Sequence, residues 1–244
     1  MRMLRNLATL TAAAGLAVTA LVAAAPADAA VMCYGQVATT VGSSSNDQIQ
    51  GSGGRDVIVS LGGDDKIFAG GGDDVICAGD GNDTVYGADG NDKIAGNAGQ
   101  DHLYGDAGHD QLEGFEDYDW ISGGSGNDRI ESGDGNDFVR NWGNSDLYGG
   151  PGVDLVRGSG GADDLRGDAD NDRLEGWGGN DRLYDPDGRN DLRGGAGNDQ
   201  LDTRNSTPFS APDDAAYGDT GSDQCEIDDH DQAFSCESFA PWSF

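Results

Sequence analysis

The 244-residue chain carries 42 glycines and sets 45 acidic against 14 basic residues, a formal net charge of −31. Such a surface would repel a phosphate backbone, which excludes a nucleic-acid partner, and the glycines lack the period of three that a collagen needs. The acids are not gathered into solvated blocks but recur at fixed phase with an aliphatic two residues later, unlike those of a disordered polyanion.

Residues 1–29 read as a cleavable export signal. Arg2 and Arg5 open it, Leu7 to Ala25 is apolar and alanine-rich, and Ala27-Asp28-Ala29 is a small-x-small cleavage site. That core is short and weakly hydrophobic for an anchor, and no other stretch is apolar enough to span a bilayer. The expected localisation is secreted and extracellular. Export places Cys33, Cys77, Cys225 and Cys236 in an oxidising compartment, where an even count reads as disulfides. Three connectivities are possible. Cys33–Cys77 with Cys225–Cys236 is favoured, because each pair would pin a non-repetitive end to a nearby stretch. The paired C-x-x-C knuckles of a zinc site are missing.

Residues 30–41 carry no repeat and are expected to cap an N-terminal end. From Gly42 to Asp202 a nine-residue pattern then returns. Gly194 to Asp202 reads GGAGNDQLD, Gly123 to Glu131 GGSGNDRIE, Gly105 to Glu113 GDAGHDQLE and Ala69 to Cys77 AGGGDDVIC. The eighth position is always aliphatic: Ile49, Ile58, Ile67, Ile76, Val85, Ile94, Leu103, Leu112, Ile121 and Ile130, then Val139, Leu147, Val156, Leu165, Leu174, Leu183, Leu192 and Leu201. The copy at Asn141 to Tyr148 is one residue short. Each copy is a glycine-rich turn and a three-residue strand, with positions seven and nine outward and position eight inward. One core side chain in nine residues is little against the entropy of ordering the other eight. Something else must bind the folded form.

These residues match the nonapeptide G-G-x-G-x-D-x-U-x, and through it the chain resembles the RTX, or haemolysin-type, calcium-binding family. The resemblance covers residues 42–202. It implies an all-β fold, a parallel β-roll (a two-sheet β-solenoid) with two nonapeptides per turn, about nine turns, and loops on two opposite edges. It also implies multiple Ca2+ ions, each between stacked loops two repeats apart, held by carbonyls and a sixth-position Asp. Carried over by position, the ligands on one edge are Asp47, Asp65, Asp83, Asp101, Asp119 and Asp137. On the other they are Asp56, Asp74, Asp92, Asp110, Asp128 and Asp146, and past the short copy Asp154, Asp163, Asp172, Asp181 and Asp199 continue the series.

The chemistry suits the ion: calcium takes six to eight oxygens, and glycines let a loop turn its carbonyls toward one point. Incomplete sites are expected at four copies. The copy at Gly42 has serine in its next three positions, that at Gly114 has Asp117 for a glycine, that at Asp185 has Asn190 for the Asp, and the fourth is the short one. Extracellular calcium modules bind at roughly 10⁻⁴–10⁻³ M, so the chain should be disordered in a low-calcium cytosol and fold outside. RTX proteins commonly carry an uncleaved C-terminal export signal, and the N-terminal signal here departs from that habit.

After Asp202 the period fails. Thr203 to Pro212 reads as a loop, Gly218 to Glu226 (GDTGSDQCE) as a degenerate copy, and the tail holds Phe234, Phe239, Trp242 and Phe244. Residues 203–244 are expected to form a C-terminal cap. On one outward face Phe68, Tyr86, Tyr104, Trp120 and Phe138 fall on successive turns. Stacking for stability is the plain reading of that stripe. The other is a partner surface for cell-wall or extracellular carbohydrate or protein, as in a calcium-stabilised adhesion or matrix protein. Neither an H-E-x-x-H nor a G-x-S-x-G motif occurs, and His102, His109 and His230 fall at outward, loop and tail positions. An enzyme is not expected.

Overall fold

The computed structural model describes residues 30–204, 214–227 and 231–236, and the backbone of 238–239. The export signal, most of the loop after Asp202, His230 and the side chains of Phe239, Trp242 and Phe244 lie outside the described residues. Among those described, all regular elements are β-strands, and no helix is long and apolar enough to cross a membrane.

Consecutive strands alternate between two parallel sheets of 11 and 12 strands. Lys66–Gly71, Thr84–Asp89 and His102–Ala107 are neighbours in one, while Val75–Asp80, Lys93–Ala98 and Gln111–Glu116 are neighbours in the other. Register advances by two nonapeptides per turn: Ile67 lies beside Val85, Val85 beside Leu103 and Leu103 beside Ile121. Every eighth-position aliphatic from Ile49 to Leu201 joins a single core running the length of the molecule, none more than 4% exposed. Alternation along each strand does this, because a slip of one residue would turn the aliphatics to solvent.

The coil makes about ten turns rather than nine. Beyond Asp202 the sheets resume, with Asp191 beside Ala215 and Gln200 beside Gln224, and two further strands follow at Gln232–Phe234 and Ser238–Phe239. Ala216 and Cys225 occupy the inward positions and are buried. An insertion before Ala215, and Ala216 where a larger aliphatic is usual, hide the first half of this turn from the sequence period, and its second half is the degenerate copy Gly218–Glu226.

The N-terminal segment does more than close an end. Thr40–Val41 supplies the terminal strand, beside Ile58 and Val59. Met32–Cys33 and Gln36–Val37 form an antiparallel hairpin laid against the outer face of the adjoining turns. There Cys33 is bonded to Cys77 and packs with Val57, Val59 and Val75, outward valines that would otherwise face water. The Tyr34 hydroxyl donates to Glu113 (2.8 Å) under Lys93, whose Nζ stands 3.7 Å from the ring. At the far end Cys225 is bonded to Cys236.

Candidate metal centres

The loops at both edges are shaped by left-handed residues at their second and fourth positions, as at Gly150 (φ 101°) and Gly152 (φ 143°). At Gly152 a side chain is excluded twice over, because a Cβ there would collide with the carbonyl oxygen of Gly135 one turn away. Asp117 (φ 74°) and Asp170 (φ 83°) take the same bend at the fourth position, one that aspartate tolerates better than most residues. The copy at Gly114 therefore keeps the common loop shape despite lacking its third glycine.

Sixth-position carboxylates form two ladders, one at each edge. On the first, the backbone N–H of Asp83 donates to Asp101 Oδ1 (2.8 Å), that of Asp101 to Asp119 (2.9 Å) and that of Asp119 to Asp137 (2.7 Å). The ladder starts with Asp47 and Asp65 and continues through Asp154, Asp172, Asn190 and Asp214. The second joins Asp56, Asp74, Asp92, Asp110 and Asp128, then Ser145, Asp163, Asp181, Asp199 and Asp223. All but Asp47 and Asp56 are buried.

In most of these carboxylates only one oxygen is used. The Oδ2 atoms of Asp65, Asp74, Asp83, Asp92, Asp101, Asp110, Asp119, Asp128, Asp137, Asp154, Asp172, Asp181, Asp199 and Asp223 are buried without a hydrogen-bond partner. From Asp65 to Asp199, taking these groups out of water pushes their pKa values up, against a smaller opposing pull from the backbone N–H. Asp119 and Asp154 rise to about 8, and Asp83, Asp101, Asp110, Asp172 and Asp181 to about 7. Like charges one turn away push in the same direction. A buried acceptor with no donor costs about 1–3 kcal/mol, and more when charged. A whole row of them calls for a cation.

Ten of these fourteen orphaned oxygens face a cradle that only glycine leaves open, and at Asp65, Asp74, Asp83 and Asp137 the first position holds Ser60, Ala69, Ala78 or Ser132 instead. A Cβ built on Gly149 would stand 2.5 Å from Asp154 Oδ2 and 2.9 Å from the carbonyl oxygen of Gly167 in the next turn. On Gly176 it would meet Asp181 Oδ2 at 2.5 Å and the Gly194 carbonyl oxygen at 2.6 Å. Carboxylate and carbonyl oxygens thus converge between successive loops, the hard donor set that calcium prefers. No three carboxylate, imidazole or thiolate side chains gather at one point among the described residues, so carbonyls would make up the rest of any coordination shell. The residues present fit the ion.

Not every expected ligand stands in this setting. In two loops a serine already satisfies the carboxylate: Asp47 Oδ2 accepts from the backbone N–H and hydroxyl of Ser43, and Asp56 Oδ2 from those of Ser52. Asp163 Oδ2 accepts from the Ser159 N–H (2.9 Å). Asp146 is not in the ladder at all. The residue missing from the short copy is lost from its loop and not its strand, so Leu147 keeps its register and Asp146, beside Arg129 and Asp164, points outward at the strand's start. Ser145 takes the ladder position and gives its hydroxyl to the Asp128 N–H as acceptor (3.2 Å). Three buried aspartates were not among the expected ligands: Asp214, in the half-turn that the insertion conceals, Asp223, at the sixth position of the degenerate copy Gly218–Glu226, and Asp185, at the first position of its copy.

The aromatic stripe is a stack. Ring centroids are 5.1 Å apart from Phe68 to Tyr86, 4.8 Å from Tyr86 to Tyr104, 5.0 Å from Tyr104 to Trp120 and 5.9 Å from Trp120 to Phe138. Lys66, Arg140 and Arg157 stand over rings in the same row. The ring faces are spent on one another and on these cations, which is the geometry of cross-strand stabilisation.

No curated protein matches the chain. A family model described as the RTX calcium-binding nonapeptide repeat (4 copies) matches residues 41–76, 78–112, 113–148, 148–183 and 187–205. Those stretches contain the aliphatic core, the glycine cradles and nearly all of the two Asp ladders, and the chain belongs to the RTX calcium-binding repeat family, whose nonapeptides bind multiple Ca2+ ions.

Proposed function

We propose that this is a secreted protein that folds outside the cell when calcium fills the gaps between its stacked loops. The sixth-position aspartates whose Oδ2 atoms are orphaned are the charged ligands, and the first-position carbonyls are neutral ones. The observation that carries this reading is the row of buried carboxylate oxygens without donors. Empty, those gaps bring like charges together in a desolvated edge; filled, they tie each turn to the next. Each ion bound somewhat above its dissociation constant adds on the order of 1 kcal/mol, and the contributions sum along the array.

Export is supported by the leader at residues 1–29 and by two disulfides. Residues 30–41 and 203–244 then serve as the two ends of the array at 42–202. The reading gives no residue a catalytic role. It also leaves the aromatic stripe as a stabilising stack, because rings that cover one another offer only edges to a carbohydrate.

The test is far-UV circular dichroism of residues 30–244, disulfides intact, titrated with calcium against a magnesium control. A cooperative gain of sheet with calcium alone is expected. Full sheet content already present in chelator would refute calcium-driven folding.

A further inference from the structure

Where the first position of a copy is not glycine, its side chain is buried between the loops, as Ser60, Ser132, Asn141, Asp185 and Thr203 all are. Four of these bring a donor into the gap. Ser60 Oγ donates to the Ala78 carbonyl and Ser132 Oγ to that of Gly149 (2.5 Å). Asn141 Nδ2 donates to Ser145 Oγ, and Thr203 Oγ1 to Asp231 Oδ2 (2.8 Å). Each supplies a hydrogen where its neighbours leave oxygens bare.

Asp185 does the opposite. It is 0% exposed, and neither of its carboxylate oxygens has a hydrogen-bond partner. It points back into the gap below it, where a Cβ built on Gly167 would collide with both its Oδ2 and that of Asp172, the latter at 2.5 Å. Asp172 Oδ2 is likewise without a partner. The strongest neighbouring charges, those of Asp172, Asp214 and Asp168, are all negative. This gap therefore holds two buried carboxylates where the others hold one, eased only by the Asp187 backbone N–H beside Asp185.

We propose that Asp185 and Asp172 form a two-carboxylate calcium site, the first in the array to fill. The inference rests on the reading that the gaps take calcium, and it adds a ligand from the first position of the repeat. The copy that lacks its sixth-position Asp, with Asn190 there instead, thus contributes a charged ligand after all, to the gap on its other side. Calcium affinity is tuned by the number of charged ligands and the rigidity of the site. One ion should bind at concentrations about tenfold below those that fill the single-carboxylate gaps.

Two variants test this, with calcium counted by equilibrium dialysis and sheet followed by circular dichroism. Asp185→Gly restores the usual first residue and is compatible with folding. Asp185→Asn places there the side chain that Asn141 shows the stack accepts, with a donor for Asp172. Asp185→Gly should move the earliest-binding ion up into the range of the single-carboxylate gaps with the total unchanged, whereas Asp185→Asn, whose amide donates to Asp172, should lose that one ion per chain, keep the later ones and hold more sheet than wild type in chelator. If both variants bind the same number of ions with an unchanged first midpoint, Asp185 is only a buried protonated acid and the proposal fails while the calcium reading stands. If wild-type protein binds no calcium, the broader reading fails first.

Discussion

The carboxylates of the two ladders have divided duties. Oδ1 is a structural acceptor, fixing the preceding turn's backbone N–H, and Oδ2, where no serine takes it, is held ready for an ion. Asn190 shows that the two roles separate, since an amide at the sixth position still accepts the Asp172 N–H at 2.9 Å. Asp119→Asn should therefore keep the ladder and lose the ion. In chelator the variant should be more stable than wild type, because it removes a buried oxygen without a donor, a change of about 1–3 kcal/mol. In saturating calcium it should be less stable, by the on-the-order-of 1 kcal/mol that its ion contributes. Opposite signs in the two denaturation series are the signature; a loss of stability in both would make Asp119 a purely structural acceptor.

At the scale of the loop and strand, the glycines decide how closely turns approach. Gly152→Ala sets a side chain at φ 143° and against the Gly135 carbonyl. It should cost at least about 2 kcal/mol with or without calcium, unlike the ligand variant. A thermal-melt shift confined to the calcium-bound form would show that this backbone approach is not limiting.

The strands were legible in the sequence because their signal is redundant. An inward aliphatic every nine residues fixes spacing, face and register together, and it carried the pattern even across the short copy. The loops were less legible, since a deletion there is invisible to the period. Asp146 kept its place before Leu147 in sequence while the ladder position passed to Ser145. Asp185 was hidden differently: it stands where the motif asks for glycine, and only the fold shows that this position faces the gap. Of the turn beyond Asp202, the half at Gly218–Glu226 was legible as a degenerate copy, and the half around Ala215 was concealed by an insertion whose length is unrelated to the repeat.

Over the whole molecule, calcium and protons compete for the same oxygens. Without calcium, burial penalises the charge of ladder acids and pushes them above the ordinary value of 3.8, to about 6 at Asp92 and Asp137 and about 8 at Asp119 and Asp154. A group whose pKa is raised on folding binds more protons folded than unfolded. Its stabilising contribution is fully present below about pH 4 and is lost as pH climbs through the folded values, between about 6 and 8. Calcium-depleted protein should therefore gain sheet on acidification from pH 8 to pH 5. Calcium needs the deprotonated form, so its folding midpoint should move the other way, to higher concentration at pH 5 than at pH 8, with protons released on binding at the lower pH. The check is circular dichroism of resin-depleted protein across that range, with a calcium titration at each end. Equal midpoints at both pH values would mean that the ladder acids are already ionised in the empty fold, and would overturn the view of these edges as protonated rows that calcium displaces.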